Sequence, residues 1–181
     1  MLELPGQTAL SEFRLRKLLA SLQAQNEGVK SLDARYTYFV AFENPLSKEH
    51  RERLDGLLLS GDKPATLGKA ARKLYVVPRP GTISPWSSKA TDIAHACDID
   101  VVRIERGICY GLQLRGNVSD DDVRALGRLL YDRMTETVLG ASADAAALFA
   151  SHEPAPLTTV TLGENGSKAL AQANKDFGLA L

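Results

Sequence analysis

Apolar residues along this chain switch repeatedly between a helical and a strand period. Within ALSEFRLRKLLASLQAQ, Leu15, Leu18, Leu19 and Leu22 recur at the i, i+3, i+4, i+7 spacing of a core-facing helical stripe. Leu10 and Phe13 fall on the other side of that helix and need a second contact. A short apolar stub, Leu2 to Leu4, precedes it and closes at Pro5-Gly6, and Gly28 follows as a stop signal. VKSLDARYTYFVAF then alternates, placing Leu32, Ala34, Tyr36, Tyr38, Val40 and Phe42 on one face of a long strand. Asn44-Pro45 ends it, Ser47 is positioned to cap a helix, and Leu54, Leu57 and Leu58 supply that helix's apolar side.

The same order of elements then returns. After a polar connection from Ser60 to Gly68, a strand spans Lys73 to Val77 and stops at Pro78. A proline-rich loop leads to a helix capped by Ser87 or Ser88, with Ala90, Ile93, Ala94 and Cys97 on one stripe. A long alternating strand follows from Val101 to Leu114. Ser119 with Asp122 starts a capping-box helix carrying Val123, Leu126, Leu130 and Met134. Three anchors, Leu2/Leu74, Val29/Val101 and Ser47/Ser119, are each separated by 72 positions. The expected fold is therefore α/β (α+β): a pseudo-twofold duplicated βαβα unit whose sheet is covered by helices, because either half alone would bury little core. Beyond Val138 the pattern changes to an alanine-rich helix from Ser142 to Ala150, a Pro154-Ala-Pro156 break, a strand-like LTTVTL and a last helix from Lys168 to Phe177. Residues 1–140 are expected to form one domain, and 141–181 the unfinished start of another, less stable than the first.

Composition narrows the function classes. The 181 residues are 44% hydrophobic, enough for one ordinary core, and 22 basic residues balance 22 acidic ones. No net field exists to hold nucleic acid or an anionic membrane, so neither is an expected partner. No apolar run is long enough for a membrane span, and Glu3 and Glu12 interrupt any leader-like start, so the expected location is the cytoplasm. Cys97 and Cys109 lack metal-ligand or CxxC spacing and read as small hydrophobes, which excludes an expected metal site. His50, His95 and His152 are scattered over three elements and read as locally bonded surface groups.

No phosphate-binding glycine loop, metalloprotease motif or nucleophile elbow occurs. The segment that departs from scaffold chemistry is VPRPGTISPWSSKATDI, Val77 to Ile93. Prolines and a glycine stiffen a strand-to-helix connection that ends at a helix N-terminus, where free N–H groups favour an anion. Arg79, Ser84, Ser87, Ser88 and Lys89 suit a phosphate or carboxylate, and Trp86 suits an apolar contact directed away from the chain's own core. The competing reading is a plain helix cap beside a packing tryptophan. In Arg103-Ile-Glu-Arg-Gly107, Arg103 and Glu105 share one strand face and Ile104 and Arg106 the other. This second candidate cluster also reads as an ordinary solvated edge.

The run PRPGTISPWSSKATDIAH, Pro78 to His95, with RIERG at Arg103 to Gly107, resembles the N-terminal domain of the large phosphoribosylformylglycinamidine synthases. ALSEFRLRKLL, YDRMTETV, PAPL and ALAQANKDFGLAL extend the resemblance over nearly the whole chain. It implies the N-terminal piece of a longer ligase, resembling a fused dimer of a small accessory subunit and followed by a linker domain. In that enzyme glutamine is hydrolysed in a glutaminase domain, and ammonia passes to a synthetase domain that uses ATP and magnesium. Those two domains of the same polypeptide are the implied partners. No catalytic residue and no cofactor are carried onto this stretch. The alternative is an independent anion- or nucleotide-binding regulatory module that uses the Arg79–Lys89 loop.

Overall fold

A computed structural model describes residues 1–59, 63–68, 72–116, 118–150 and 156–178. The chain divides into two compact units, Met1–Ser151 and His152–Leu181. The first is α+β. Its strands are β1 (Leu2–Thr8), β2 (Val29–Ala41), β3 (Arg72–Pro78), β4 (Arg103–Leu114) and β5 (Glu136–Leu139), joined in one antiparallel sheet of order β1-β2-β4-β3-β5. Its helices are α1 (Glu12–Gln25), α2 (Lys48–Leu59), α3 (Pro85–Ala96) and α4 (Asp120–Gly127).

The even-numbered residues of β2 and β4 face all four helices, as a period of two requires. α1 and α4 cover one half of this face, where Leu22, Leu32, Ala34, Tyr110, Leu112 and Leu126 are buried together. α2 and α3 cover the other half, over Tyr38, Val40, Leu54, Ala94 and Ile104. The two clusters repeat each other. Leu22, Val29 and Leu32 of the first stand 72 positions before Ala94, Val101 and Ile104 of the second, while Tyr110, Leu112 and Leu126 stand 72 positions after Tyr38, Val40 and Leu54. The central ladder has its midpoint where Tyr36 opposes Ile108, again 72 apart. The outer strands deviate: Leu4 opposes Tyr38 and Leu74 opposes Tyr110, so Leu74 corresponds to Leu4 and not to Leu2. A slip of two residues keeps every side chain on its face, which is why the anchor Leu2/Leu74 fits the alternation equally well.

Several boundaries differ from the sequence expectation. β1 continues through Pro5-Gly6 to Thr8 by a register shift at the edge of the sheet, where proline's missing N–H is tolerated. α4 ends at Gly127; Leu130 still packs on the core, but Met134 is 81% exposed in a turn. β5 follows, a short edge strand with no marked alternation. The alanine-rich segment Ser142–Phe149 is a 3-10 helix, and Ala145 and Leu148 pack with Phe39, Tyr75, Val77 and Cys109 on the sheet face opposite the helices. It therefore belongs with the first unit. The connection Lys63–Gly68 reaches the same side: Arg35 Nη1 donates to the Ala65 carbonyl at 3.3 Å and the Gly68 N–H to Asp33 Oδ2 at 3.2 Å. Both faces of the sheet are thus covered.

In the second unit, LTTVTL is not a strand; its residues are exposed without a ladder partner. The last helix, α5 (Gly166–Phe177), ends at Gly178 in the left-handed conformation. Pro154, Ala155 and His152 lie outside the described residues. Phe13, expected to need a second contact, is 68% exposed, whereas Leu10 packs beside α1's own core face. Among the described residues, no helix is long and apolar enough to cross a membrane, and no group of acidic, histidine and cysteine side chains could hold a metal ion.

Candidate functional site

β3 and β4 pair only from Arg72↔Leu112 to Val76↔Ile108. Past that point Pro78 cannot donate to a ladder, β3 turns away, and α3 fills the fork beside β4. The backbone N–H of Ile104, left without a strand partner on this side, donates to the hydroxyl of buried Thr91 on α3 at 3.0 Å. The connection Arg79–Ser84 spans this fork, with Gly81 at φ 82° permitting its turn.

Ser84, not Ser87 or Ser88, caps α3: its Oγ accepts the Ser87 N–H at 3.0 Å, and Pro85 takes the first helical position. The correction has a simple cause. Proline at the first turn is a start signal, which puts the cap one residue before it. The Ser84 hydroxyl also donates to Glu105 Oε2 at 3.0 Å. Glu105 is completely buried, and Arg103 Nε lies 3.8 Å from its Oε1. Arg103 in turn donates to the carbonyl of Leu148 and lies over the Phe149 ring, 5.1 Å from its centroid. One buried carboxylate thereby ties the cap of α3 to the interior strand β4, and Arg103 ties that strand to the 3-10 segment beneath. Ile104, Glu105 and Gly107 are buried although β3 does not pair with this stretch of β4, so the solvated-edge reading of Arg103–Gly107 does not hold. The anion near this helix end is the chain's own.

The other strand face carries Arg106. Its guanidinium lies 4.5 Å from the centroid of Tyr36 and 4.7 Å from that of Trp86, stacked on both. Trp86 also stacks on Tyr38, with centroids 5.7 Å apart and planes 21° from parallel. Trp86 is thus half-buried against the core of the α2 side and does not project away from it. Burial is the main influence on the Tyr38 phenol and pushes its pKa up, while Arg106 opposes the shift. A pocket of about 320 Å³ opens between α2 and α3, walled by leucines of α2, floored by Tyr38 and Ile104, and carrying Lys89 and Arg106.

The sequence-derived candidates therefore separate into three places. Ser84, Glu105 and Arg103 form an internal tie. Trp86, Lys89 and Arg106 surround the α2–α3 pocket. Arg79 lies at the exposed tip, where its backbone N–H donates to the Thr135 carbonyl at 3.1 Å and its guanidinium to the Met134 carbonyl at 3.5 Å. Ser88 is exposed, whereas Ser87 is buried with its hydroxyl unpaired among the described residues. Sequence reasoning missed Ile83 and Met134, which are 59% and 81% exposed beside a groove of about 370 Å³ that also meets Arg79, Thr82 and Glu136. An apolar residue in a proline-rich loop is the only signal for Ile83, and Met134 is hidden because its spacing fits the stripe of a longer α4. Alternation places Tyr36 and Tyr38 on the core face of β2 but cannot tell a core face from a pocket floor.

A family model described as formylglycinamide ribonucleotide amidotransferase N-terminal matches residues 35–149. The match spans well over half of the chain and includes every candidate residue named above.

Proposed function

The chain belongs to the formylglycinamide ribonucleotide amidotransferase N-terminal family, and from that premise we propose that Met1–Ser151 is a bridging domain without catalytic groups of its own. The enzyme it serves is the ATP- and glutamine-dependent ligase of purine biosynthesis that converts formylglycinamide ribonucleotide to its amidine. Its partners are the synthetase and glutaminase domains of the same polypeptide, in the cytoplasm. ATP and magnesium act in the synthetase domain. The likeness of the two halves favours origin as a duplicated accessory unit.

The observation that carries the docking role is the tip of the Arg79–Ser84 loop. Ile83 and Met134 are large, apolar and exposed side by side, with Arg79 next to them. The loop beneath is held at both ends, by Ser84 on buried Glu105 and by the Arg79 backbone on Thr135. A preorganised apolar tip loses little entropy when a second domain covers it. In the full-length ligase, Ile83→Asp with Met134→Asp should lower glutamine-dependent amidine formation at least tenfold, while the melting temperature of the 181-residue chain stays unchanged. Wild-type turnover in that double variant would refute the docking role.

A further inference from the structure

The groove between α2 and α3 has a counterpart between α1 and α4, related to it by the same 72-residue offset. Tyr110 stands for Tyr38, Leu129 and Leu130 for Leu57 and Leu58, and Lys17 for Lys89. The two enclose similar volumes, about 320 and 310 Å³, yet the second is a shallow trough. The substitutions between them explain why. Where α1 carries Leu18 and Leu22, α3 carries Ala90 and Ala94, so the α2–α3 groove lacks two isobutyl groups that occupy its counterpart. Where α1 carries Arg14, α3 carries Trp86. Where β2 carries Ala34 in the buried core, β4 carries Arg106.

These differences point in one chemical direction. Opening the wall exposes leucine side chains at a cost in buried apolar area. Setting a guanidinium in the opened floor costs more unless something pairs with it. Arg106 makes no ion pair among the described residues and no acidic residue lines this pocket; Glu136 shares only the neighbouring cavity with Arg106 and Tyr36. Instead its plane is fixed by Tyr36 and Trp86, with Lys89 at the rim as a second cation. The pocket volume lies at the small end of the roughly 300–1,000 Å³ range of ligand sites, where apolar walls and a few placed polar groups are the usual make-up. We infer that the α2–α3 groove binds a small molecule with an apolar, preferably aromatic, body and a single anionic head, carboxylate or phosphate. The head pairs with Arg106 and Lys89, and the body lies against the α2 leucines and Trp86.

Trp86 is the only tryptophan in the chain, so its emission reports this wall directly. The 181-residue chain is titrated with phenyl phosphate, benzoate, phenol and inorganic phosphate, with melting temperature followed in parallel. The expected result is a saturable change in Trp86 emission and a rise in melting temperature with phenyl phosphate, benzoate or both, the tighter of the two identifying the head group. Phenol and inorganic phosphate should each bind at least tenfold more weakly. Arg106→Met should weaken the aromatic anion at least tenfold, and Ala90→Leu, which copies the filled groove, should abolish binding. Ile93→Glu adds a negative charge at an exposed rim position and should also abolish it without touching the core, whereas Ser21→Glu at the corresponding position of the other groove should leave binding unchanged. Equal binding of phenol, equal binding of inorganic phosphate, no saturable response to either aromatic anion, or retained affinity in Ile93→Glu would each overturn the assignment.

Discussion

Removing the Glu105 carboxylate should loosen the site more than any other single change. The side chain is completely buried, accepts from the Ser84 hydroxyl at 3.0 Å and faces Arg103 at 3.8 Å. Glu105→Ala deletes a charge-assisted hydrogen bond worth about 1.5–3 kcal/mol. It also leaves the partly buried Arg103 without its counter-charge, and because Arg103 is 19% exposed the total cost should fall at the low end of the about 3–5 kcal/mol of a fully buried pair. Glu105→Gln keeps the volume and an acceptor for Ser84, losing only the charge, and should cost about 1–2 kcal/mol. The double variant Arg103→Met/Glu105→Leu removes both charges together and should be less destabilised than Glu105→Ala alone. Urea unfolding of the four proteins gives these differences directly, provided the dependence on denaturant is unchanged. Amide exchange at Ser87 and Ser88 should quicken in Glu105→Ala, since their N–H groups bond Ser84. If Glu105→Ala and Glu105→Gln both lie within about 0.5 kcal/mol of the parent, the carboxylate is not the tie described, and the cap of α3 stands by itself.

Three further outcomes test other parts of the structure. Trp86→Ala removes a half-buried ring stacked on Tyr38 and Arg106 and should destabilise the chain by about 2 kcal/mol, roughly half the cost at a fully buried site; an unchanged melting curve would restore the view that this ring points away from the core. Gly107→Ala should cost about 1–3 kcal/mol in thermal unfolding, because an added Cβ would lie 2.6 Å from the Val76 carbonyl and 2.8 Å from Val77 Cγ1, on a stretch of β3 held by its pairing with β5. Burial pushes Tyr75 and Tyr110 up to about 12, above the ordinary 10. Their folded-state pKa values being raised, the stability they contribute is fully present below pH 10 and is lost as pH rises toward 12. Each is worth about 3 kcal/mol at most. Phenolate absorbance should therefore show Tyr75 and Tyr110 ionising last and together with unfolding, with Tyr38 also raised above the ordinary range, and ordinary titration of all five at pH 10 in the folded chain would contradict their burial.

The parts of the fold that were legible in the sequence are those with a period. β2 and β4 announce themselves by long alternation, α1 and α2 by leucine spacing, and α4 by Ser119 and Asp122, whose reciprocal hydrogen bonds form the capping box. What alternation cannot convey is which strands lie inside the sheet. Arg103 and Glu105 share a face as expected, but only the ladder order makes that face an interior one, with the 3-10 segment beneath it. β5 has too few residues to establish a period, and the β-branched composition of LTTVTL suggests a strand that does not form because no neighbouring strand pairs with it. The loop from Arg79 to Lys89 was recognisable as unusual from its prolines alone. Its division into an internal tie, a pocket wall and an exposed tip was not, since that depends on where β3 parts from β4.

The two halves of the first unit are most informative where they differ. α2 and α4 begin 72 residues apart, at Lys48 and Asp120, and the central strands keep the same offset. Between strand and helix the spacing changes: three residues, Ala9 to Ser11, join β1 to α1, but six, Arg79 to Ser84, join β3 to α3. The added length forms the exposed tip with Ile83, and the helix that follows is the one that exchanges Leu18 and Leu22 for alanines and Arg14 for Trp86. Packing alone would favour the leucines, because filling a groove with two isobutyl groups stabilises a core by several kcal/mol. The second half forgoes that gain and sets an arginine in the opened floor, offsetting part of the loss by stacking it between two aromatic rings. It also anchors the longer loop on a buried carboxylate whose counterpart in the first half is Asp33, which accepts a backbone N–H from Gly68. Each of these differences lowers or complicates stability at one end of the sheet, and together they lie on consecutive elements, β3 to β4. Packing gives no reason for such a concentration, whereas the ligand groove and docking tip proposed above would both require it.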